Sequence, residues 1–289
     1  MKDITLTARD GLVLHAALFE CENPKALVQV IHGAKEHKER YYDICTFFNA
    51  NGYAVIVSDN RGHGQSVSAA YPLGHFESAE EMLDDQLIVS AHIKSLYPGK
   101  GLYLFGHSLG SCIARYYLQQ HDNEIEKLLL TGTVFPVPLC GIGSRVCGVS
   151  QKLYGKAKAK GLISKLANND NDKWVCQNPS VMVVYRKDPL VKGCVYTTAA
   201  INAIVELAGT LSRREDFICR NPELKILSCT GKEDICTGGE AGLQASLSLL
   251  GKIGYINVRH IVYEHMRHEV INEKGNDKVY ADMLAFFDE

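Results

Sequence analysis

The sequence lacks any apolar run of about twenty residues, so it predicts no transmembrane helix. Its N-terminal stretch also lacks the apolar core of a secretory signal peptide. Ten cysteines are present, but no C-x-x-C pair or zinc-like spacing connects them, and without an export signal we interpret them as reduced thiols. A net charge of −2 gives no general reason to expect a nucleic-acid partner. These absences predict a cytoplasmic protein with no metal site and no nucleic-acid partner.

Short apolar runs alternate with stretches of helical periodicity along most of the chain. Residues 4–8 and 12–19 flank Asp10-Gly11, a dipeptide typical of a hairpin turn. The later runs are apolar on both faces, as in strands buried inside a parallel sheet. We place these strands at residues 26–31, 54–58, 102–106, 128–131, 224–229 and 256–263. The alternation predicts an α/β fold with a mostly parallel central sheet flanked by helices.

The alternation stops after Pro138. We interpret residues 136–212 as an inserted, mainly helical cap, with the core formed by residues 1–135 and 213–289. From Lys127 to Asn169 there is no acidic residue, whereas basic residues recur. Apolar side chains fall on one helical face at Ile142, Val146, Val149 and Leu153. Two interpretations stay open: an ordinary amphipathic helix with a solvated face, or a basic apolar lid that meets an anionic membrane or lipid aggregate.

One stretch places a serine at the corner between a strand and a helix. The strand at residues 102–106 leads into Gly106-His107-Ser108-Leu109-Gly110, and apolar residues then recur at helical spacing. Such a corner leaves no room for side chains at the two glycines, so Ser108 is expected to point out above the sheet. The following helix directs free N–H groups and a partial positive charge at the same place. Ser108 is therefore the predicted nucleophile.

Two later strand ends supply an acid and a base. Asp234 follows the strand at residues 224–229, and His268 follows the last strand. Serine becomes a strong nucleophile only when a histidine takes its proton, and a carboxylate fixes the tautomer of that histidine. The order Ser, Asp, His is that of an α/β-hydrolase. Two alternatives stay open, namely Glu233 as the acid and His265 as the base.

The backbone N–H groups of Ala34 and Leu109 form the predicted oxyanion hole. Leu109 directly follows the nucleophile, and Ala34 lies in the loop after the strand at residues 26–31. Two donors at this point stabilise the negative oxygen of a tetrahedral intermediate. We interpret His107 as a packing residue of the corner rather than as the base, because neighbouring residues of a turn point apart.

Taken together, these motifs resemble the monoacylglycerol lipase/lysophospholipase family of α/β-hydrolases. The resemblance covers nearly the whole chain and implies a cofactor-free serine esterase that takes a single-chain acyl lipid, with a mobile cap facing the membrane. It also implies that Ser108, Asp234 and His268 are the catalytic triad and that Ala34 and Leu109 are the oxyanion donors. The stretches that carry it are residues 32–37 with Arg40-Tyr41, 59–66, 106–110, 188–191, and 268–269 with 272–273.

Further roles follow from the same resemblance. Four charged residues are expected to brace the two loops after the early strands through ion pairs. Lys35 departs from the family pattern, since a small residue is usual beside the oxyanion hole. It points to solvent or, alternatively, binds a charged head group such as a lysophospholipid phosphate. The bracing residues are Glu36, His37, Arg40 and Arg61.

Other functions remain compatible with the same triad. The scaffold would also accept small soluble esters, or a peptide bond next to an N-terminus. An aminopeptidase needs an acidic cluster to hold the free amine, and the predicted cap offers none. A non-catalytic receptor is a third alternative, which a missing triad residue would indicate, and none is missing. The basic and apolar composition of the cap favours a lipid ester.

Overall fold

The computed structural model describes residues 1–135, 140–169 and 171–289. The strands within these residues are β1 (Lys2–Thr7), β2 (Val13–Phe19), β3 (Leu27–Ile31), β4 (Ala54–Ser58), β5 (Leu102–His107), β6 (Lys127–Thr131), β7 (Lys225–Gly231) and β8 (Asn257–Tyr263). They form one sheet in the order β1-β2-β4-β3-β5-β6-β7-β8. β2 pairs antiparallel with both β1 and β4, and the other pairs are parallel. The predicted mostly parallel α/β sheet is confirmed.

Helices cover both faces of this sheet. They are α1 (Tyr42–Ala50), α2 (Ala79–Leu96), α3 (Leu109–His121), α4 (Cys140–Tyr154), α5 (Gly161–Ala167), α6 (Pro179–Lys187), α7 (Pro189–Lys192), α8 (Thr198–Thr210), α9 (Gly239–Ile253) and α10 (Asn276–Asp288). Each face of the sheet packs in its own hydrophobic core. Successive side chains of a strand point to opposite faces, so one strand such as β3 contributes to both cores. Leu27 and Ile31 join the core formed with α2 and α3, whereas Val28 and Val30 join the core formed with α1 and α10.

The helix predicted for residues 37–51 begins later than its periodicity indicates. A 3₁₀ turn occupies Lys38–Tyr41, and α1 follows it. The backbone N–H of Lys38 donates to the Asp59 carboxylate (2.7 Å), and the ammonium group of Lys38 lies 3.1 Å from the same carboxylate. His37 is bound at 2.7 Å by Asp188. The Asp59 contacts hold the start of the segment against the end of β4, and the Asp188 contact holds it against the start of α7. Local propensity encodes neither contact.

The helices α4 to α8 follow β6 in the chain and precede β7; we call residues 140–210 the inserted segment. Its first predicted residues, 136–139, lie outside the described part of the chain, and the division into core and cap stays a prediction. α4 packs against α8, and α8 packs against α3. α4 leaves Val146, Val149 and Leu153 exposed on its outer side, while the side chain of Ile142 is outside the description. Within the described residues, no helix has both the length and the apolar character needed to cross a membrane.

Candidate active site

The corner between β5 and α3 holds Ser108 in an unusual backbone conformation. Its φ is +53° and its ψ is −116°, a region that residues with side chains seldom adopt. A methyl group on Gly106 would lie 2.5 Å from the carbonyl oxygen of Gly110, and one on Gly110 would lie 2.0 Å from the carbonyl oxygen of Ile31. Only glycine therefore fits at both positions. The corner is packed directly against the end of β3. It leaves no room for side chains at the two glycines, as the sequence predicts.

Asp234 and His268 lie side by side after β7 and β8. The Nδ1 atom of His268 is 2.9 Å from Oδ1 and 3.0 Å from Oδ2 of Asp234, and both residues are buried. The backbone N–H of Cys236 donates to Asp234 Oδ1 at 2.8 Å, which fixes the carboxylate. Burial by itself lowers the pKa of His268, but the charge of Asp234 and its hydrogen bond outweigh burial and raise the pKa well above the ordinary value. This pair therefore stabilises an imidazolium.

A chain of contacts through β6 connects this pair to the serine. The backbone N–H of Ser108 donates to the carbonyl oxygen of Thr131 at 3.0 Å. A methyl group on the next residue, Gly132, would lie 2.6 Å from Cε1 of His268 and 3.0 Å from Cε1 of His107. Gly132 thus leaves the space in which the His268 imidazole sits. The Nε2 atom of His268 is buried and has no hydrogen-bond partner among the described residues.

The two alternative residues face away from this arrangement. The Glu233 side chain is exposed and accepts a hydrogen bond from the Gln177 amide at 2.9 Å. His265 is also exposed, and its backbone carbonyl accepts from the same amide at 3.0 Å. Glu233 also lies 3.6 Å from the Arg267 guanidinium at the surface, whereas Asp234 and His268 bond to each other. The geometry favours Asp234 as the acid and His268 as the base.

His107 is a buried packing residue beside this pair. Its Nδ1 atom is 2.9 Å from the Thr131 hydroxyl, and its ring centre is 4.7 Å from that of His268. Burial lowers the pKa of His107 to about 4, and the nearby Glu36 carboxylate only partly opposes this effect. His107 is therefore neutral at physiological pH.

The turn after β3 is held on both sides of Ala34. The N–H of Gly33 donates to Glu36 Oε2 at 2.9 Å, and the N–H of Lys35 donates to the hydroxyl of Tyr196 at 2.8 Å. Lys35 has a φ of +56°, so this turn is also conformationally strained. Leu109 is the first residue of α3, and its N–H therefore has no acceptor within the helix. The oxyanion role of Ala34 and Leu109 stays a prediction that this geometry permits.

A pocket of about 250 Å³ opens between this turn and the inserted segment. Lys35, Lys192 and Asp172 line it. The Asp172 carboxylate accepts hydrogen bonds from Nε and Nη2 of the Arg186 guanidinium at 2.8 and 2.9 Å. Further lining residues include Ala34, Trp174, Tyr185 and Tyr196. Lys35 thus lines this pocket, and its binding role stays a prediction.

Comparison with known proteins identifies the family. The family model described as "Serine aminopeptidase, S33" matches residues 22–275. The chain belongs to this family. Members are α/β-hydrolases, and the predicted fold is confirmed at this level.

Relatives and solved structures of this S33 family member bear lipase and esterase names. The monoacylglycerol lipase of Mycolicibacterium smegmatis is 25% identical over 267 residues, which are 91% of this chain and 88% of that protein. Human monoglyceride lipase is 36% identical over 172 residues, 58% of this chain and 53% of the human one. A Bacillus coagulans carboxyl esterase superposes with a TM-score of 0.86 at 23% identity, covering 99% of this chain and 97% of its own. The predicted resemblance is confirmed.

A solved monoglyceride lipase shows the same fold at still lower identity. The Saccharomyces cerevisiae enzyme superposes with a TM-score of 0.79 at 16% identity, covering 99% of this chain and 94% of that one. At such identities, the structural similarity establishes the α/β-hydrolase fold alone.

A buried ion network joins the turn after β3 to the loop of His268. The Arg40 guanidinium contacts Glu36 at 3.0 Å and both oxygens of Glu269 at 2.6 Å, and all three side chains are largely buried. Burial raises the pKa of Glu269 to about 7, an effect that Arg40 opposes and Glu36 reinforces. Glu36 and Arg40 form an ion pair as predicted, but the network reaches the loop of His268 rather than the loop after β4, which the prediction pairs with this turn. His37 lies 2.7 Å from Asp188 of the inserted segment, so its contact also leads away from the loop after β4.

The remaining bracing residue, Arg61, pairs with a different part of the core. Its guanidinium binds Asp85 of α2 through two bonds of 2.7 and 2.8 Å, and Asp10 of the hairpin turn at 3.0 Å. Arg61 therefore forms ion pairs as predicted, but they anchor its loop to α2 and the hairpin turn rather than to the turn after β3.

Arg40→Ala is expected to lower the free energy of unfolding by about 3–5 kcal/mol, because two buried carboxylates lose their counter-charge. Urea unfolding followed by circular dichroism measures this change. Arg9→Ala is the matched control, since Arg9 pairs with Asp84 at the exposed surface and such pairs contribute at most about 1 kcal/mol. Equal losses in the two variants would contradict a structural role for the buried network.

One cluster among the described residues also offers atoms of the kinds that bind metal ions. Asp234, Cys236 and His268 place a carboxylate oxygen, a sulfur and a ring nitrogen within 4.8 Å of one another. These donors suit Zn²⁺ in principle. Asp234 and His268 already bond to each other, and the predicted absence of a metal site stays a prediction.

Two aromatic side chains beside the site were not predicted from the sequence. Trp174 packs on the His268 ring, and Tyr196 binds the turn of Lys35. Both belong to the inserted segment and lie far from their partners in sequence. The sequence offers only a weak signal for Trp174, namely that it is the sole tryptophan of the chain.

Proposed function

We propose that this protein hydrolyses carboxylic esters of single-chain acyl lipids, monoacylglycerol or lysophospholipid, through an acyl-serine intermediate. The observation that carries the proposal is the His268 imidazole, whose Nδ1 is bonded to buried Asp234 while its buried Nε2 has no partner among the described residues. A base held in this way has one nitrogen available for the proton of Ser108. The lipase and lysophospholipase names of its relatives support an acyl lipid as the substrate.

The proposed reaction begins when His268 takes the proton of the Ser108 hydroxyl. The serine oxygen attacks the ester carbonyl, and the N–H groups of Ala34 and Leu109 bind the resulting oxyanion, each contributing on the order of 3 kcal/mol. Asp234 stabilises the imidazolium during this step. His268 then protonates the departing alcohol, and the acyl group remains on the serine. Water activated by the same histidine releases the fatty acid.

The surface of the inserted segment supports a lipid substrate. α4 exposes three apolar side chains on its outer side, namely Val146, Val149 and Leu153. Exposed lysines lie in and beyond this helix, at positions 152, 156, 158, 160 and 165. An apolar face bordered by positive charge suits contact with an anionic lipid surface. Peripheral contact with membranes and a cytoplasmic location are part of this proposal.

The chemistry of the pocket argues against an aminopeptidase. A free N-terminal amine needs a carboxylate that is not already paired, and the Asp172 carboxylate in this pocket is bound by Arg186. Lys35 and Lys192 also line the pocket and add positive rather than negative charge to its wall. Their charge instead leaves the lysophospholipid alternative open, in which Lys35 contacts the phosphate.

A paired assay tests the proposal with purified protein, a long-chain monoacylglycerol and a short soluble ester. We expect a higher kcat/KM for the lipid, because the apolar face of α4 brings the protein to lipid aggregates. Ser108→Ala serves as the control for contaminating hydrolases in both assays. Preference for the short ester would leave the triad standing but contradict the lipid substrate. Release of N-terminal amino acids from a peptide, without ester hydrolysis, would favour the aminopeptidase alternative.

A further inference from the structure

The inserted segment contacts the catalytic base through one aromatic side chain. The Trp174 and His268 rings are 4.9 Å apart between their centres and inclined by 58°. The same imidazole contacts the His107 ring at 4.7 Å and occupies the space left by Gly132. Three residues from three parts of the chain therefore surround the base, and Trp174 is the one that the inserted segment contributes.

Backbone contacts on both sides of Trp174 hold it against His268. The carbonyl oxygen of Lys173 accepts a hydrogen bond from the Arg267 guanidinium, and the carbonyl oxygen of Val175 accepts from the N–H of Glu269 at 2.9 Å. The neighbours of the tryptophan are thus bonded to the neighbours of the histidine. This double connection places the two rings opposite each other.

Further hydrogen bonds hold the segment around Trp174 against the loop of His268 and fix the indole itself. The Glu273 carboxylate accepts from the backbone N–H of Gln177 at 2.8 and 2.9 Å, and from that of Arg267 at 3.0 Å. The indole N–H of Trp174 donates to the carbonyl oxygen of Asn171 at 2.8 Å. Its donor is therefore satisfied away from His268, and the imidazole meets the ring of the indole rather than its polar edge.

We propose that Trp174 is a positioning residue for His268, forming the wall that holds the imidazole on Asp234 and shields it from water. This inference rests on the proposed role of His268 as the base. Without the indole, the His268 imidazole would rotate more freely, and water would contact the face that Trp174 now covers. A base that spends less time in the reactive orientation lowers kcat more than it changes KM.

The contact makes Trp174 an optical reporter of the His268 charge. It is the sole tryptophan, so selective excitation reports this residue alone. A protonated imidazole quenches indole emission by contact more strongly than a neutral one, so we expect emission to rise with pH as His268 loses its proton. The titratable groups facing His268 are Asp234, Cys236, His107 and Glu269.

Fluorescence titration of three proteins tests this contact without relying on turnover. The emission transition of the wild-type protein should disappear in His268→Gln and persist in His265→Gln, whose histidine is exposed in the same loop. A transition that survives in His268→Gln would show that Trp174 reports another group and would overturn the inference. If instead Ser108→Ala retained full turnover while the transition followed His268, the proposed function would fail and the ring contact would stand.

Kinetics test the positioning role. Trp174→Ala is expected to lower kcat about 10- to 100-fold with a smaller change in KM, and Trp174→Phe should recover most of the loss because it keeps an aromatic wall. Burial lowers the pKa of His268, so exposing the imidazole should move the acidic limb of kcat/KM to higher pH. Val184→Ala, an exposed change in α6, should alter neither kcat nor the pH profile. An unchanged kcat and pH profile in folded Trp174→Ala would refute the proposal.

Discussion

Ser108→Ala is expected to lower kcat/KM for ester hydrolysis by a factor on the order of 10⁴ to 10⁶. In the proposed mechanism the Ser108 hydroxyl at the corner between β5 and α3 attacks the ester, so the variant would lose the attacking oxygen atom. The remaining activity would come from substrate binding and the oxyanion donors alone. Steady-state hydrolysis of a chromogenic ester, followed over long times at high protein concentration, measures a loss of this size.

The fold should survive this substitution. Ser108 makes its hydrogen bonds to Thr131, Ser111 and Cys112 through backbone atoms, which alanine retains. The thermal unfolding temperature of Ser108→Ala should therefore match or exceed that of the wild-type protein. Labelling by a fluorophosphonate probe should be lost with the hydroxyl. A variant that folds, turns over and is still labelled would exclude Ser108 as the nucleophile.

Asp234→Asn is expected to lower kcat by about 10⁴-fold with little effect on the fold. An amide at this position still accepts the hydrogen bond from the Cys236 N–H, but it loses the charge that stabilises the His268 imidazolium. It can also donate to Nδ1 and so favour the wrong tautomer of the base. Without the carboxylate charge the pKa of His268 should fall, which would move the acidic limb of kcat/KM to lower pH.

Glu233→Gln is the matched control for this experiment. The two acids are adjacent in the chain, but Glu233 is exposed and bonds only at the surface, so we expect its loss to change kcat by less than about threefold. Rates and pH profiles of the two variants, measured on the same ester, would decide the assignment. A large loss in Glu233→Gln with a small one in Asp234→Asn would reverse the roles of these residues.

The central strands β3 to β6 were predictable because they are buried on both faces. The prediction for β4 at residues 54–58 agrees with the structure residue for residue, since apolar side chains line both of its faces. The start of α1 was not predictable in the same way. The contacts of His37 and Lys38 with residues far along the chain decide where that helix begins.

In the candidate site, too, some residues were predictable from local sequence patterns, whereas others are placed by contacts between distant segments. Ser108 follows from a local pattern of glycines, and Asp234 and His268 follow from the ends of strands. The choice between Asp234 and Glu233 depends on which side chain turns inward, a property that adjacent residues in a loop do not reveal in sequence. Trp174 could not be predicted beside the base, because its place depends on hydrogen bonds between two segments far apart in the chain.

At Ser108, the backbone conformation makes the side chain proposed for catalysis unfavourable for the stability of the fold. A residue with a side chain is strained there by about 1–3 kcal/mol, whereas glycine would adopt the same conformation freely. Glycine, the residue with the least backbone strain at this corner, has no side chain and could not act as the proposed nucleophile. Selection for thermal stability alone would favour replacing Ser108. A more stable enzyme that keeps its activity therefore needs stabilising substitutions at other positions.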